Sequence, residues 1–323
     1  MLLAKSETDA DRYDKVGGDR TNVSVGIAAY NEAQNIGNLI QVIQDEIEKH
    51  DQIIVVSSGS TDRTSEIVLR YSQSDHRVKL VTERDRNGKS SAINRIFAEA
   101  NGEMLLLVSA DVLPESGSIE TMIATMQSDP MIGVVSSRPL PVNSNNNLTG
   151  YLAHLYWRLH HETLSLLDAT GQNTHGGEAI LVRRGIVHSI PADCINDDAY
   201  IGVETVKKGF KVKYCPQARV KTKVPTTITE LFAQRRRIIA GHMKVKEQTG
   251  LYPKVLTIMA FEDPSKLVKV VSNELRSNLR STPRFLVAVY IEAVSTLLAL
   301  FDRLSRRDNV IWRIAMSTKI LER

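Results

Sequence analysis

The fold is decided by the stretch EMLLLVSAD (residues 103–111), in which an apolar run ends in a single acidic residue. Such an apolar run is typical of a central strand that helices cover on both faces of a sheet. The strand carries Asp111 to the carboxyl edge of the sheet, where open α/β folds bind their ligands. A carboxylate there suits Mg²⁺ or Mn²⁺, although an Asp after a strand also serves as a turn or helix-capping residue.

Strand-like and helix-like patterns alternate on both sides of this stretch. Apolar runs predict strands at 23–28, 53–56, 78–81, 132–135, 179–182 and 212–214. One-sided apolar periodicity predicts helices at 36–47, from about 62, and at 91–100, 118–127, 151–167, 198–208 and 229–248, with a mainly helical remainder from 252. Because strands that alternate with helices pair in parallel, we predict an α/β fold. Its mostly parallel, Rossmann-like sheet has helices on both faces, and a helical C-terminal extension follows.

Composition excludes several classes of protein. The chain has 323 residues and a net charge of +4, which is too mild to indicate nucleic acid as a partner. Its two cysteines lie far apart in the sequence and indicate neither a zinc site nor a disulfide framework. The polar N-terminal tail, 1–20, lacks the apolar region of a signal peptide, so we expect a cytoplasmic protein.

Basic residues cluster late in the chain, at Arg235–Arg237 and again around Arg303, Arg306 and Arg307. Both clusters suit phosphates or a lipid surface, or else the solvated face of a helix. The segment 285–301 is apolar except for three residues, Glu292, Ser295 and Thr296. It is slightly shorter than the ~20 residues of a spanning helix, and a central Glu is costly in lipid. Two alternatives stay open: packing in the core or a dimer, or contact with the inner face of the cell membrane.

Several short strings follow one another along the chain: Ala29-Tyr30-Asn31-Glu32, 57–62 (SSGSTD), 88–94 (GKSSAIN), 109–111 (SAD), 196–198 (NDD) and 234–238 (QRRRI). Their order and spacing resemble those of family 2 glycosyltransferases, the inverting sugar-nucleotide transferases of the GT-A fold. The resemblance covers 23 to about 246. It implies a GT-A domain at 21–250, with 251–323 as the helical extension.

The resemblance also implies residues that bind the sugar donor. Ala29, Tyr30, Asn31 and Glu32 look like the nucleoside-binding turn, in which Tyr30 packs on the base and Glu32 accepts from ribose hydroxyls or a base N–H. The same four residues would also serve as a plain turn and helix cap. Ser58 stands in a pair of serines, 57–58, where the family usually has an acid that reads the base.

Further implied residues surround the diphosphate. Lys89 would lie beneath it, at a helix N-terminus that favours anions, with Asn94 in the same segment. Asp111 matches the last Asp of the family's Asp-X-Asp and would hold Mg²⁺ or Mn²⁺, while Ser109 replaces the first. Because Mg²⁺ keeps several waters, a single carboxylate is tolerable.

The implied catalytic residues are Asp198, Gln234 and Arg237. Asp198 matches the general base that takes a proton from the acceptor hydroxyl, with Asp197 before it as an orienting or capping residue. Gln234 and Arg237 resemble the family's Gln-X-X-Arg-Trp, with Ile238 in the place of Trp, and Arg237 would neutralise the departing diphosphate. His242 is a candidate partner of a metal or phosphate, although the sequence favours a position at the surface. Gly176-Gly177-Glu178, before the strand at 179, fits a close backbone approach to the acceptor, and a structural role explains Glu178 equally well.

The implied function is the inverting, metal-dependent transfer of a sugar from a nucleotide-sugar donor to a hydroxyl or phosphate of a glycan or lipid-linked acceptor. One base without a covalent intermediate means a single displacement. One alternative is a catalytically weakened nucleotide-binding or scaffold protein, which the three serines at 57, 58 and 109 suggest. Another is a nucleotidyltransferase, which would require a Gly-rich loop after the first strand, where Ala29-Tyr30-Asn31-Glu32 stands instead.

Overall fold

The computed structural model describes residues 21–277, 282–305 and 315–319. One eight-stranded sheet has the order β3-β2-β1-β4-β7-β6-β8-β5. The strands are β1 (Val23–Ala29), β2 (Gln52–Ser58), β3 (Val78–Glu83), β4 (Met104–Ser109), β5 (Val112–Pro114), β6 (Ile132–Pro141), β7 (Ala179–Arg183) and β8 (Lys211–Thr222). The helices are α1 (Ile36–Glu46), α2 (Thr64–Ser74), α3 (Lys89–Glu99), α4 (Ser118–Gln127), α5 (Leu148–Ala169), α6 (Asp197–Lys207), α7 (Ile228–Thr249), α8 (Leu256–Glu262), α9 (Pro264–Ser277) and α10 (Thr282–Leu304).

The first half of the sheet is parallel, as predicted. Strands β3, β2, β1 and β4 run in one direction, with Ala28 opposite both Val56 and Ser109. Their carboxyl ends therefore meet at one edge, and the loops that leave them form its rim. The predicted strands and helices of this half are all present, which confirms the α/β fold class.

The second half is mixed. Strand β7 is antiparallel to β4 and to β6, β6 is parallel to β8, and β5 is antiparallel to β8. We did not predict β5, because its three residues are too few to give a periodic pattern and follow directly after the turn at Asp111. The sheet as a whole remains mostly parallel.

Helices cover both faces of the sheet. On one face, α1 buries a stripe of four residues with helical spacing, Ile36, Leu39, Ile40 and Ile43. On the other face, α3 packs on β1 so closely that a Cβ on Gly26 would lie 2.2 Å from a methyl carbon of Ile96. This close approach brings Lys89, the first residue of α3, to the carboxyl edge of the sheet.

The C-terminal helix α10 packs against α7 through a narrow stripe that includes Ala288, Ile291 and Ala299. Two acidic residues of α10 meet α7: Glu292 lies 2.5 Å from Arg235, and Asp302 accepts from Arg236 Nε at 2.5 Å. The expectation that these two arginines face phosphates, lipid or solvent is therefore wrong.

The opposite face of α10 is exposed and apolar, with Leu297 66% and Phe301 65% exposed. By length and composition α10 could cross a membrane, and within the described part of the chain no other helix could. Arg303 pairs with Glu247 at 2.8 Å. Arg306, Arg307 and the tail 1–20 lie outside the described residues.

Candidate active site

Lys89 lies at the centre of the charged rim. Its ammonium group is 3.0 Å from Asp197 Oδ1 and donates to Ser109 Oγ at 3.3 Å. Burial disfavours the charged ammonium, but the attraction of Asp197, with Glu178 and Asp198 beyond it, outweighs burial and raises the pKa of Lys89. The lysine is thus held as a cation where the ends of β4, α3 and α6 meet.

Asp111 follows β4 as predicted and is half-buried. Two carboxyl groups near it, Glu32 and Glu178, have a pKa raised to about 7. Burial is the larger cause in both, and repulsion by the negative charge of Asp111 is the second. Three carboxyl groups therefore share a small region, a crowding that a cation would relieve.

The carboxylate of Asp198, at the start of α6, is largely enclosed, with 22% of its side chain exposed. Burial and the neighbouring charge of Asp197 raise its pKa, while His175 and Lys89 act in the opposite direction. His175 Nε2 lies 3.7 Å from Asp198 Oδ2. The sequence reasoning missed His175, although its place directly before the Gly176-Gly177 pair was a usable signal.

His175 belongs to a buried cluster of three histidines. Its ring packs edge to face on His160 of α5, with centroids 5.5 Å apart, and on His242 of α7, with centroids 5.7 Å apart. Burial lowers the pKa of His160 and of His242 well below the usual value, so both are neutral at pH 7. The expectation that His242 lies at the surface is wrong, because it packs inside this cluster.

The two catalytic residues predicted on α7 differ in their surroundings. Burial is the largest effect on Arg237 and lowers its pKa. Four nearby carboxyl groups act in the opposite direction and favour its charge: Glu178, Asp197, Asp111 and Asp198. Gln234 lies one turn earlier and is half-buried, and its side chain makes no hydrogen bond to any residue in the described ranges. The structure thus brings Arg237, but not Gln234, into the charged cluster.

The turn after β1 forms a second part of the rim. Asn31 has a left-handed backbone (φ 52°), and its Oδ1 accepts from Thr61 N at 2.8 Å, which joins this turn to the loop after β2. Arg86 stacks over the ring of Tyr30, 4.3 Å from its centroid. The described contacts of Ala29, the last residue of β1, are apolar and lie in the core.

Glu32 is buried and already has protein partners. Asn35 Nδ2 donates to one carboxylate oxygen at 2.9 Å, and Lys319, which directly follows a one-turn 3-10 helix (Met316–Thr318), pairs with the other. The ammonium group of Lys319 also donates to Tyr30 O at 3.0 Å. A residue 287 positions away could not have been connected with this turn from local sequence patterns.

Ser58 ends β2 opposite Glu83, the last residue of β3. Its hydroxyl donates to Glu83 Oε2, while Ser91 Oγ of α3 donates to Glu83 Oε1 at 2.6 Å. Sequence reasoning missed Glu83, although its place after a predicted parallel strand was a usable signal.

One further expectation changes. Asn94 does not face the rim: its amide donates to Ile190 O at 2.9 Å and accepts from Ile190 N at 2.8 Å. It therefore ties α3 to the loop after β7.

The resemblance implies a divalent metal ion, which the carboxylates at the rim would have to hold. In the described ranges, no three His, Cys, Asp or Glu side chains meet in the geometry of a complete metal site. The carboxylate of Asp111 alone fits an ion that takes its other ligands from substrate phosphates and water, which is how Mg²⁺ usually binds. The pKa values of Glu32 and Glu178, raised partly by Asp111, mark a place where a cation would be stabilised.

Comparison with known proteins connects these observations to a family. The model of glycosyl transferase family 2 matches residues 24–190, more than half of the chain. The poly-β-1,6-N-acetyl-D-glucosamine synthase of Staphylococcus aureus (strain COL) is 26% identical over 231 residues, which are 68% of this chain and 54% of that protein. Its Staphylococcus epidermidis counterpart is 25% identical over 252 residues, 76% of this chain and 58% of that protein. The chain spans about half the length of these curated relatives.

Solved structures agree on the fold. A mannosyltransferase from Pyrobaculum calidifontis, in complex with GDP-Man and Mn²⁺, aligns with a TM-score of 0.64 and 20% identity over 92% of this chain and 93% of that one. Glucosyl-3-phosphoglycerate synthase from Mycobacterium tuberculosis, in complex with Mn²⁺, UDP and phosphoglyceric acid, aligns with a TM-score of 0.51 and 19% identity over 70% of this chain and 78% of that one. The GT-A fold predicted from the motifs is thereby confirmed. Since the family model covers more than half of the sequence and the fold agrees with it, the chain belongs to glycosyltransferase family 2.

Proposed function

We propose that the protein transfers a sugar from a nucleotide-sugar donor to a hydroxyl or phosphate of a glycan or lipid-linked acceptor, with inversion at the anomeric carbon. One observation carries the proposal: a carboxylate with a raised pKa, Asp198, shares the rim of the sheet with two cations, Lys89 and Arg237. A base beside cations is what a single displacement that releases a diphosphate requires.

In this reaction Asp198 takes the proton of the acceptor hydroxyl while the acceptor oxygen attacks the anomeric carbon. The bond from that carbon to the diphosphate oxygen breaks, and the electron pair leaves with the nucleoside diphosphate. Lys89 and Arg237 stabilise the charge that develops on the leaving group. The raised pKa makes Asp198 a stronger base than an ordinary aspartate, because burial and Asp197 both disfavour its charge.

We further propose that Asp111 binds Mg²⁺ or Mn²⁺ together with the diphosphate of the sugar donor. When bound, such an ion would neutralise phosphate charge. The crowding of Asp111 with Glu32 and Glu178 supports this placement. The Mn²⁺ named for the P. calidifontis structure agrees with it.

Calorimetric titration with UDP, GDP, CDP and ADP, each with and without Mn²⁺, tests the proposal. We expect at least one nucleoside diphosphate to bind in a Mn²⁺-dependent manner, and Asp111→Asn to remove that dependence. Glu120→Gln, which changes an exposed acid in the first turn of α4, is the matched control. Unchanged Mn²⁺ dependence in Asp111→Asn would contradict the metal role, and binding without any sugar transfer would favour the scaffold alternative.

We also propose that the exposed face of α10 lies on an anionic membrane surface, which would place the enzyme peripherally at the inner face of the cell membrane. The two acids that make a spanning position costly, Glu292 and Asp302, turn inward to arginines of α7, which leaves an apolar surface facing outward. A helix with one apolar face and a protein-bound polar face suits interfacial docking better than spanning.

Sedimentation with anionic vesicles tests this location. We expect the protein to bind at low salt and to be released by high salt, as electrostatic attachment requires. The double variant Leu297→Ser/Phe301→Ser should weaken binding, whereas Val268→Ser, at a residue of α9 that is 64% exposed, should not. Replacing Arg303, Arg306 and Arg307 by Gln should lower affinity by ~1 kcal/mol per charge. A wild-type protein that stays soluble with these vesicles would assign α10 to a protein interface.

A further inference from the structure

Two serines, 57 and 58, end β2 where the family resemblance leads one to expect an acid, yet an acid stands beside them on the next strand. Glu83 ends β3 directly opposite Ser58 in the parallel register. Its two carboxylate oxygens accept from two different hydroxyl groups, Ser58 Oγ and Ser91 Oγ. The carboxylate at this edge of the sheet therefore stands on β3 and is in direct contact with the Ser58 hydroxyl.

This arrangement fixes what the Ser58 hydroxyl can do. A hydroxyl has one proton to donate and two lone pairs that can accept. The proton of Ser58 is given to Glu83, and Asn87 N donates to Ser58 Oγ at 3.3 Å. The second lone pair is left to accept, so Ser58 can offer a ligand an acceptor but not a donor.

The surrounding loops connect this hydroxyl with the turn after β1, to which the resemblance assigns nucleoside binding. Gly59 has a left-handed backbone (φ +65°), and a Cβ there would lie 2.5 Å from Arg86 N, so the loops after β2 and β3 are in direct contact. Arg86 in turn stacks on Tyr30. Ser58, Glu83 and the predicted base-packing residue Tyr30 therefore belong to one continuous wall.

We propose that Glu83 determines which nucleobase the enzyme accepts by holding the Ser58 hydroxyl as an obligatory acceptor. Uracil and guanine present a ring N–H at the edge that pairs with another base, whereas cytosine and adenine present a lone pair there. The Ser58 oxygen, as an acceptor, therefore favours UDP- or GDP-sugars over CDP- or ADP-sugars. Opposite cytosine or adenine it would face a second acceptor, which leaves a desolvated polar group unpaired. The inference rests on the proposed function, since it requires the sugar donor's base to reach Ser58.

Titration with UDP, GDP, CDP and ADP tests the inference in the wild type and in Glu83→Gln. The wild type should bind UDP or GDP at least about 10-fold more tightly than CDP or ADP, the difference that one unpaired buried group makes. In Glu83→Gln the side-chain amide can donate to Ser58, which frees the serine proton for a base acceptor. The preference should then fall by about 10-fold, with CDP affinity rising as UDP affinity falls.

Two further variants separate selection from general damage. Ser58→Ala should weaken UDP or GDP binding without any gain for CDP, and it keeps the inference testable if Glu83→Gln does not fold. Glu99→Gln removes an acid of α3 that pairs with Lys79 at the surface, and it should leave the preference unchanged. A wild type that prefers CDP or ADP, or a folded Glu83→Gln that keeps the wild-type preference, would overturn the inference while leaving the proposed function intact. If no nucleoside diphosphate binds, both fail.

Discussion

Replacing Asp198 by Asn tests the proposed chemistry most directly, because it changes the charge at almost constant volume. The side chain is 22% exposed and lies 3.7 Å from His175, so an amide can occupy the same space. A positioned general base contributes about 10²- to 10⁴-fold to a rate. Because the pKa of Asp198 is raised, it is a strong base for an aspartate, and we expect a loss near the middle of this range, about 10³-fold, or about 4 kcal/mol in activation free energy.

Affinity for the sugar donor should change much less than the rate. The substitution leaves the 3.0 Å contact between Lys89 and Asp197 in place, so the cation that we propose to lie beneath the diphosphate remains anchored. We expect donor affinity within about threefold of wild type, since only a longer-range charge is lost. Release of nucleoside diphosphate in the presence of acceptor measures the rate, and calorimetry measures the affinity.

Asp197→Asn is the matched control, because it neutralises the adjacent carboxylate on the same helix turn. It removes the ion-pair partner of Lys89 and should therefore weaken binding of the sugar donor more than it slows transfer. If Asp198→Asn transfers sugar at the wild-type rate, the base lies elsewhere. The reverse pattern, in which Asp197→Asn carries the 10³-fold loss, would assign the base to Asp197.

The remaining predictions concern protonation, packing and the C-terminal helix. The rate of transfer should fall as the pH drops through the raised pKa of Asp198. Because His175 lowers that pKa, His175→Gln should move the acidic limb of the pH–rate profile to higher pH. An unchanged profile would exclude this influence of His175. Gly26→Ala should lower the free energy of unfolding by about 1–3 kcal/mol in denaturant titrations, because the new Cβ would lie 2.2 Å from a side chain of α3. An unchanged free energy of unfolding would mean that α3 shifts to make room at no cost. Arg236→Met should cost about 3–5 kcal/mol in the same assay, because Asp302 is 3% exposed and loses its guanidinium partner; a loss under 1 kcal/mol would show that α10 is held by other contacts.

The parallel half of the fold was predictable because its signals are local. Buried strands such as β4 read as continuous apolar runs, and α1 buries residues with a helical period, so each element can be recognised without its neighbours. The rim residues Lys89, Asp111 and Asp198 followed from motif order, and the structure places all three near one another at the expected edge. Their roles in binding and catalysis stay predictions.

What sequence reasoning missed depends on which elements become neighbours in space. Glu83 gains its significance from the β2–β3 register, and Lys319 from a contact that spans 287 positions. His242 looked like a surface residue because α7 is strongly basic, but the ring packs against His175 from another element. Such side chains carry no local pattern that distinguishes a site residue from an exposed one.

The three consecutive arginines of α7 show how one string can serve two purposes. Successive residues of an α-helix point about 100° apart, so Arg235, Arg236 and Arg237 cannot all face one phosphate or one membrane. The first two meet the acids of α10, and the third lies among the carboxylates of the rim. The basic string is therefore not one continuous phosphate or lipid patch: Arg235 and Arg236 hold the C-terminal helix against α7, and α7 carries Arg237 to the candidate site. A change that loosens α10 from α7 should reach the site through this helix, and the Arg236→Met variant, assayed for affinity for the sugar donor as well as stability, would reveal that connection.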